Sequence, residues 1–229
     1  MNSNQKLILA LEDGRAFYGF AVSNENSPTP LEAEGELVFC TAMTGYQEIC
    51  TDPSYRGQIV VLTYPLIDNY GINRGDHEST RPWLHGLIVR EYCARPSNWR
   101  ASDQLANWLA DYRIPIAEGL DTRSLTRHLR THGALRAVLA APNPDAIPQA
   151  NGDAGAWRLG RTPGATEEAQ RLAERAKQIV PLSEQALVAQ VSAPEFEQVD
   201  STIWAPFAEP RKAKKPYRVV LIDCGVKHN

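Results

Sequence analysis

Residues 7–22 read Leu-Ile-Leu-Ala-Leu-Glu-Asp-Gly-Arg-Ala-Phe-Tyr-Gly-Phe-Ala-Val. Two apolar runs, Leu7 to Leu11 and Ala16 to Val22, flank Glu12-Asp13-Gly14-Arg15. Asp-Gly between such runs predicts a β-hairpin, because a tight primed turn needs positive φ, which Asp tolerates and Gly favours. Three more runs rich in Val, Ile, Leu and aromatics follow, at Glu36 to Thr41, Gln58 to Tyr64 and Leu84 to Tyr92. Each is bounded by Gly or Pro and is expected to be a strand.

Helices come next. Ser102 is a candidate N-cap, and Leu105, Trp108, Leu109 and Tyr112 form one apolar stripe at i, i+3, i+4 and i+7. Asp121 or Thr122 can cap a second helix that ends at Gly133. Between the helices Ile114 to Ala117 is short and apolar, and Ala134 to Ala140 reads as a closing strand. The expectation is an α+β domain, with sheets packed on one another and helices to one side.

From Ala141 the texture changes. Residues 141–165 are rich in Pro, Gly, Asn and Asp and read as loop. Thr166 then caps a helix with Glu167 and Glu168 in its first turn, where the helix dipole favours acids. Leu172, Ala173, Ala176 and Ile179 line its apolar side. Residues 181–216 read as a connecting stretch ending in a basic linker, Pro210 to Pro216. Then comes Arg218-Val219-Val220-Leu221-Ile222-Asp223, a continuous run of the kind buried on both faces of a parallel sheet. Such a strand without a sheet would leave apolar surface and backbone groups unpaired, so the polypeptide is expected to continue past Asn229 into a second domain. The competing expectation is that this run joins the sheet of the first domain.

Across 229 residues, 43% are hydrophobic, and 24 Lys and Arg stand against 27 Asp and Glu, a formal charge of −3. That balance is globular and argues against a dedicated nucleic-acid or membrane-surface binder. No window approaches the ~18 apolar residues needed to span a bilayer. The N-terminus lacks the pattern of a signal peptide, and Cys40, Cys50, Cys93 and Cys224 form no C-x-x-C pair. Reduced thiols and a cytoplasmic location are expected.

Two segments are chemically unusual. Residues 39–58 run Phe-Cys-Thr-Ala-Met-Thr-Gly-Tyr-Gln-Glu-Ile-Cys-Thr-Asp-Pro-Ser-Tyr-Arg-Gly-Gln, with many hydroxyls and a turn at Asp52-Pro53-Ser54-Tyr55. Residues 63–73, Thr-Tyr-Pro-Leu-Ile-Asp-Asn-Tyr-Gly-Ile-Asn, are again polar and turn-rich directly after a strand. Such loops either line sites or are well-hydrogen-bonded turns.

These motifs, with Asp121-Thr122-Arg123 and the Leu-Thr-Arg that follows, resemble the small, glutamine-hydrolysing subunit of carbamoyl-phosphate synthetase. The similarity runs from residue 7 to about 145 and resumes at Arg218–Asn229. It implies a swivelling β/β/α-type domain over 1–145, a helix and linker over 146–216, and the first strand of a flavodoxin-like class I glutamine amidotransferase domain over 217–229. It implies further that the whole subunit hydrolyses L-glutamine with a Cys-His-Glu triad beyond Asn229. The ammonia would pass to a large subunit that uses ATP, Mg and bicarbonate to make carbamoyl phosphate for arginine and pyrimidine biosynthesis. This chain would be scaffold and interface, inactive alone, with no cofactor of its own, no nucleic acid and no membrane as partner. None of the four cysteines is expected to be the nucleophile. Ser54 matches the serine through which this family's first domain contacts glutamine.

The alternative is a free-standing module that contacts an anionic partner through the basic helix 121–132, where Arg123, Arg127 and Arg130 recur at helical spacing. His128 and His132, at i and i+4, would be its only candidate metal pair, without a third ligand nearby.

Overall fold

The computed structural model describes residues 5–22, 32–73, 75–142, 166–196, 198 and 218–227. The loop and linker readings at 143–165 and 199–217 lie outside the described residues.

The hairpin forms as read. β1 (Lys6–Leu11) pairs antiparallel with β2 (Ala16–Ala21) in the register Ala10 to Ala16. The turn differs from expectation: Leu11 N–H bonds Arg15 O at 2.8 Å, and only Gly14, at φ 89°, is left-handed. Asp13 instead accepts the Arg15 N–H on its carboxylate at 3.0 Å. The loop is therefore a turn closed by a glycine bulge rather than a two-residue primed turn.

The remaining strands are β3 (Glu32–Cys40), β4 (Gln58–Leu62), β5 (Leu66–Ile67), β6 (Gly86–Ile88), β7 (Glu91–Tyr92), β8 (Ile116–Glu118) and β9 (Leu135–Ala140). Seven of them close into a barrel in the order β1-β2-β8-β6-β4-β3-β9, and β5 pairs with β7 as a separate ribbon. The fold class is α+β, but two packed sheets are replaced by one closed sheet. The single strand expected over 84–92 is two short ones, because the chain leaves the barrel after Ile88 and joins β5.

Closure follows from alternation. Leu7, Leu9 and Leu11 of β1, Ile59 and Val61 of β4, and Ala137 and Leu139 of β9 share one buried cluster inside the barrel. Their neighbours Ile8, Ala10, Val60, Leu62, Val138 and Ala140 are buried in two other clusters on the outside. A period-2 strand buried on both faces needs a cover outside as well as a core inside.

Four helices supply the stopper and the covers. α1 (Tyr46–Thr51) and α2 (Leu105–Asp111) lie over one outer face, and α3 (Thr122–His132) brings Leu125 and Leu129 into the barrel interior cluster. α4 (Glu167–Lys177) lays Ala169, Leu172, Ala173 and Ala176 on β1, β2 and β9. The caps of α3 and α4 are as read: Asp121 accepts from Ser124 N–H at 2.9 Å, and Thr166 from Ala169 N–H at 3.1 Å. Gln104, not Ser102, stands at the cap of α2, and the Ser102 hydroxyl donates instead to Ile72 O at 2.9 Å. A final short helix, α5 (Val188–Val191), follows.

The run Arg218–Asp223 is not a strand here. It has no ladder partner among the described residues, and Val219, Val220, Leu221 and Ile222 are 85, 85, 68 and 83% exposed. The physical reason is closure: a barrel has no free edge for another strand to join. The expectation that this run adds to the first domain's sheet is thereby corrected. No helix among the described residues is long and apolar enough to cross a membrane.

Candidate functional site

Ser54 sits in a 3₁₀ turn, Pro53–Tyr55, between α1 and β4. Asp52 Oδ1 accepts the Ser54 N–H at 2.8 Å, which fixes the turn, and Pro53 at its first position holds φ. The Ser54 side chain is exposed, and its hydroxyl makes no hydrogen bond among the described residues. A rigid backbone with an uncommitted hydroxyl can donate to a carboxylate or accept from an ammonium.

The turn does not stand alone. Lys227 Nζ reaches Asp52 Oδ2 and Glu78 Oε2, each at 3.2 Å. Its ammonium is held above the ordinary lysine range, first by Glu78 and then by Asp52. One carboxylate, Asp52, therefore grips Ser54 with one oxygen and the C-terminal segment with the other. That segment is ordered by Asp223, which accepts from Ala193, Gly225 and Val226 N–H at 2.6, 2.7 and 2.8 Å. These backbone donors, Val226 and Gly225 first, hold its carboxyl below the usual range. The Gly225 backbone lies close enough to Pro53 that an added Cβ would be 3.2 Å from the proline Cβ.

Behind the turn, the two unusual segments form one buried polar network. Tyr70 stacks on Tyr46 with centroids 4.2 Å apart, and its oxygen accepts from Gly45 N–H at 2.7 Å. The Gln47 side chain bonds both backbone groups of Asn73. Thr51 Oγ1 accepts the Glu78 N–H at 2.8 Å, and Ser79 Oγ donates to Thr51 O at 2.6 Å. Asp68, fully buried, accepts from Tyr92 hydroxyl at 2.7 Å and Leu105 N–H at 3.0 Å. Tyr46, Gln47, Thr51, Tyr70 and Asn73 of these motifs are thus spent on structure, whereas the exposed Ser54 hydroxyl on the turn is not. Sequence reasoning missed Asp52, Glu78 and Lys227 as a set, since nothing local signals a pairing across some 150 residues or more.

No described cysteine is hydrogen-bonded to a histidine. Cys50 is fully buried in apolar surroundings, and burial pushes its thiol well above the ordinary range, the direction opposite to activation. All four cysteines are free, and Cys224 is exposed. A thiol reagent added to the native protein is expected to modify Cys224 in the first phase and Cys50 only on unfolding. Peptide mapping of the labelled sites checks this, and early labelling of Cys50 would contradict the burial argument.

The basic helix reads differently in three dimensions. His128 Nε2 is 2.6 Å from Asp13 Oδ2, and His132 Nδ1 donates to His128 O at 2.9 Å. Among the described residues no group of three His, Cys, Asp or Glu side chains is placed to hold a metal ion. Arg123, Arg127 and Arg130 are solvated.

The described residues thus form a closed barrel whose clamped turn carries an exposed hydroxyl beside a charged seam with residues 218–227. Residues 9–139 match the carbamoyl-phosphate synthase small chain, CPSase domain, and the chain belongs to that family. It is similar to the carbamoyl phosphate synthase small chain of Symbiobacterium thermophilum, 55% identical over 57% of this chain and 34% of that protein. It is 41% identical to the pyrimidine-specific small chain of Halalkalibacterium halodurans, over 98% of this chain and 50% of that one. The small chain of Syntrophotalea carbinolica is 38% identical over 98% and 53%. The chain thus spans a third to a half of these relatives. Nothing in them supports the free-standing module.

Proposed function

We propose that this chain is the scaffold and interface part of the small subunit of a glutamine-dependent carbamoyl-phosphate synthetase. In this reading the whole subunit hydrolyses L-glutamine and delivers ammonia to a large subunit that consumes ATP, Mg and bicarbonate, in the cytoplasm, for arginine and pyrimidine biosynthesis. The barrel is the family's swivelling β/β/α-type domain, and residues 217–229 open a flavodoxin-like glutaminase domain. The absence of a free barrel edge supports that boundary, because Arg218–Asp223 then needs another sheet. This chain alone is inactive toward glutamine, a reading supported by the buried, unactivated state of Cys50.

One observation carries the assignment of Ser54 as the glutamine contact. Asp52 clamps the Ser54 turn and Lys227 together, which seats an exposed, uncommitted hydroxyl beside the segment that would open a glutaminase domain. Replacing Ser54 by alanine in the complete, two-subunit enzyme is expected to raise the KM for glutamine roughly 10-fold or more. That is the effect of removing one hydrogen bond to a charged group. Ammonia-dependent carbamoyl phosphate synthesis is expected to be unchanged. Steady-state kinetics with each nitrogen source checks this, and an unaltered glutamine KM sinks the role of Ser54.

A further inference from the structure

An open cleft lies between the start of β3, the turn after Ser54, residues 81–85 and the end of α2. Arg56, Arg81, Arg113 and His85 line it, with Arg175, Glu32 and Glu34 along one side. Both acids are taken by Arg175. The other three guanidiniums have no carboxylate partner among the described residues. Arg56 Nε donates to Gln190 Oε1 at 2.9 Å. Arg81 Nε donates to Pro82 O at 3.3 Å, and its guanidinium lies 4.8 Å from the centre of the Trp83 ring. Each contact satisfies only part of a five-donor group and none of its charge.

The local backbone gives a second, independent observation. Arg113 follows α2 at φ 59°, a left-handed position where helices ordinarily place Gly or Asn. A bulky cation there is strained, and such strain is concentrated where a side chain must be aimed. Burial and the charge of Arg81 also hold the Arg56 guanidinium below its ordinary range, so the like charges feel one another.

We propose that this cleft binds a multiply charged oxyanion of the phosphate class through Arg56, Arg81 and Arg113. Three forks from three separate chain segments present more donors than the two oxygens of one carboxylate can accept, whereas a phosphoryl group offers three or four oxygens. The opening to solvent suits an inorganic phosphate or the terminal phosphoryl of a monoester. The acids on the Arg175 side confine the anion to the opposite wall.

The test is calorimetric titration of the full chain with inorganic phosphate at fixed ionic strength, beside the same titration with chloride and with glycerol 3-phosphate. A saturable one-site phosphate isotherm is expected, weakened roughly 10-fold in each of Arg56→Gln and Arg81→Gln. It should be unchanged in Arg123→Gln, on the separate basic helix. Tighter binding of the monoester assigns the site to phosphorylated metabolites, and equal binding assigns it to the free anion. Either result sustains the site. Because Arg81→Gln relieves repulsion, its melting temperature without phosphate at low salt should equal or exceed the parent's, which shows that lost binding is not lost folding. Phosphate heats no larger than chloride's, or an isotherm indifferent to both substitutions, overturns the proposal.

Discussion

Asp68→Asn is expected to make the protein more stable than the parent at pH 7.5 and leave it about equal at pH 4, whereas Asp68→Leu destabilises at both. Asp68 is fully buried, with φ 69°. Its Oδ2 accepts from Tyr92 and Leu105, but Oδ1 is poorly served: Tyr46 hydroxyl is 3.5 Å away and has a better acceptor in Gly71 O at 2.8 Å. Burial outweighs the three donors and pushes the carboxyl up to about 6 from 3.8. The folded pKa is raised, so the favoured form is the neutral acid. Its stabilisation is fully present below about pH 4 and is lost as pH rises through 6, a change of roughly 3 kcal/mol.

Asparagine imitates that neutral acid. Its carbonyl can keep the Tyr92 and Leu105 bonds while its NH₂ donates to the Tyr46 oxygen, and it tolerates the left-handed backbone. Leucine strands a buried hydroxyl and a buried N–H and is strained at positive φ, a loss of about 4 kcal/mol. Urea unfolding at pH 4, 5, 6 and 7.5 reads both effects. A parent and an Asp68→Asn variant with the same slope between pH 4 and 6 would show that Asp68 is ionised in the fold without penalty.

The Asp68 case also shows what was legible in the sequence. Local signals worked: the β1–β2 hairpin, the Asp121 and Thr166 caps and the apolar side of α4 each depend on residues within one or two turns of one another. Non-local geometry did not. The parallel pairs β3–β4, β4–β6 and β6–β8 join strands with other elements between them, α1, β5, and β7 with α2, and these connections carry no pairing code, so closure was invisible. A polar segment such as 63–73 looks solvated by composition, yet burying Asp68 and Gln47 is what ties it to residues 45–51. Ser54 was singled out through a resemblance of motif, and the clamp that holds its turn reaches to Lys227, which no local pattern signals.

Gly35→Val separates the two kinds of reasoning most sharply. On strand propensity alone, valine in β3 should stabilise by up to ~1 kcal/mol, since glycine weakens a strand interior. The structure reverses the sign. A Cβ on Gly35 would lie 2.4 Å from the Gly57 carbonyl oxygen and 3.1 Å from its carbon, inside contact distance of main chain rather than of a side chain that can swing away. That carbonyl also accepts the Glu36 N–H at 3.1 Å, at the point where β3 and β4 begin to pair. Gly57 itself also packs closely, since its own added Cβ would meet Leu182 Cδ1 at 2.6 Å, so any shift of its backbone must be absorbed by the Leu182 side chain. The expected result is a loss of about 3 kcal/mol in urea unfolding. By contrast, Gly14→Ala, which meets nothing within 4 Å but keeps φ 89°, should lose only about 1 kcal/mol. Because Gly57 ends the Ser54 turn, Gly35→Val in the complete enzyme should also raise the glutamine KM more than the ammonia KM. A Gly35→Val protein as stable as its parent would mean that β3 and β4 part at little cost, and the rigid seating of Ser54 would fail with them.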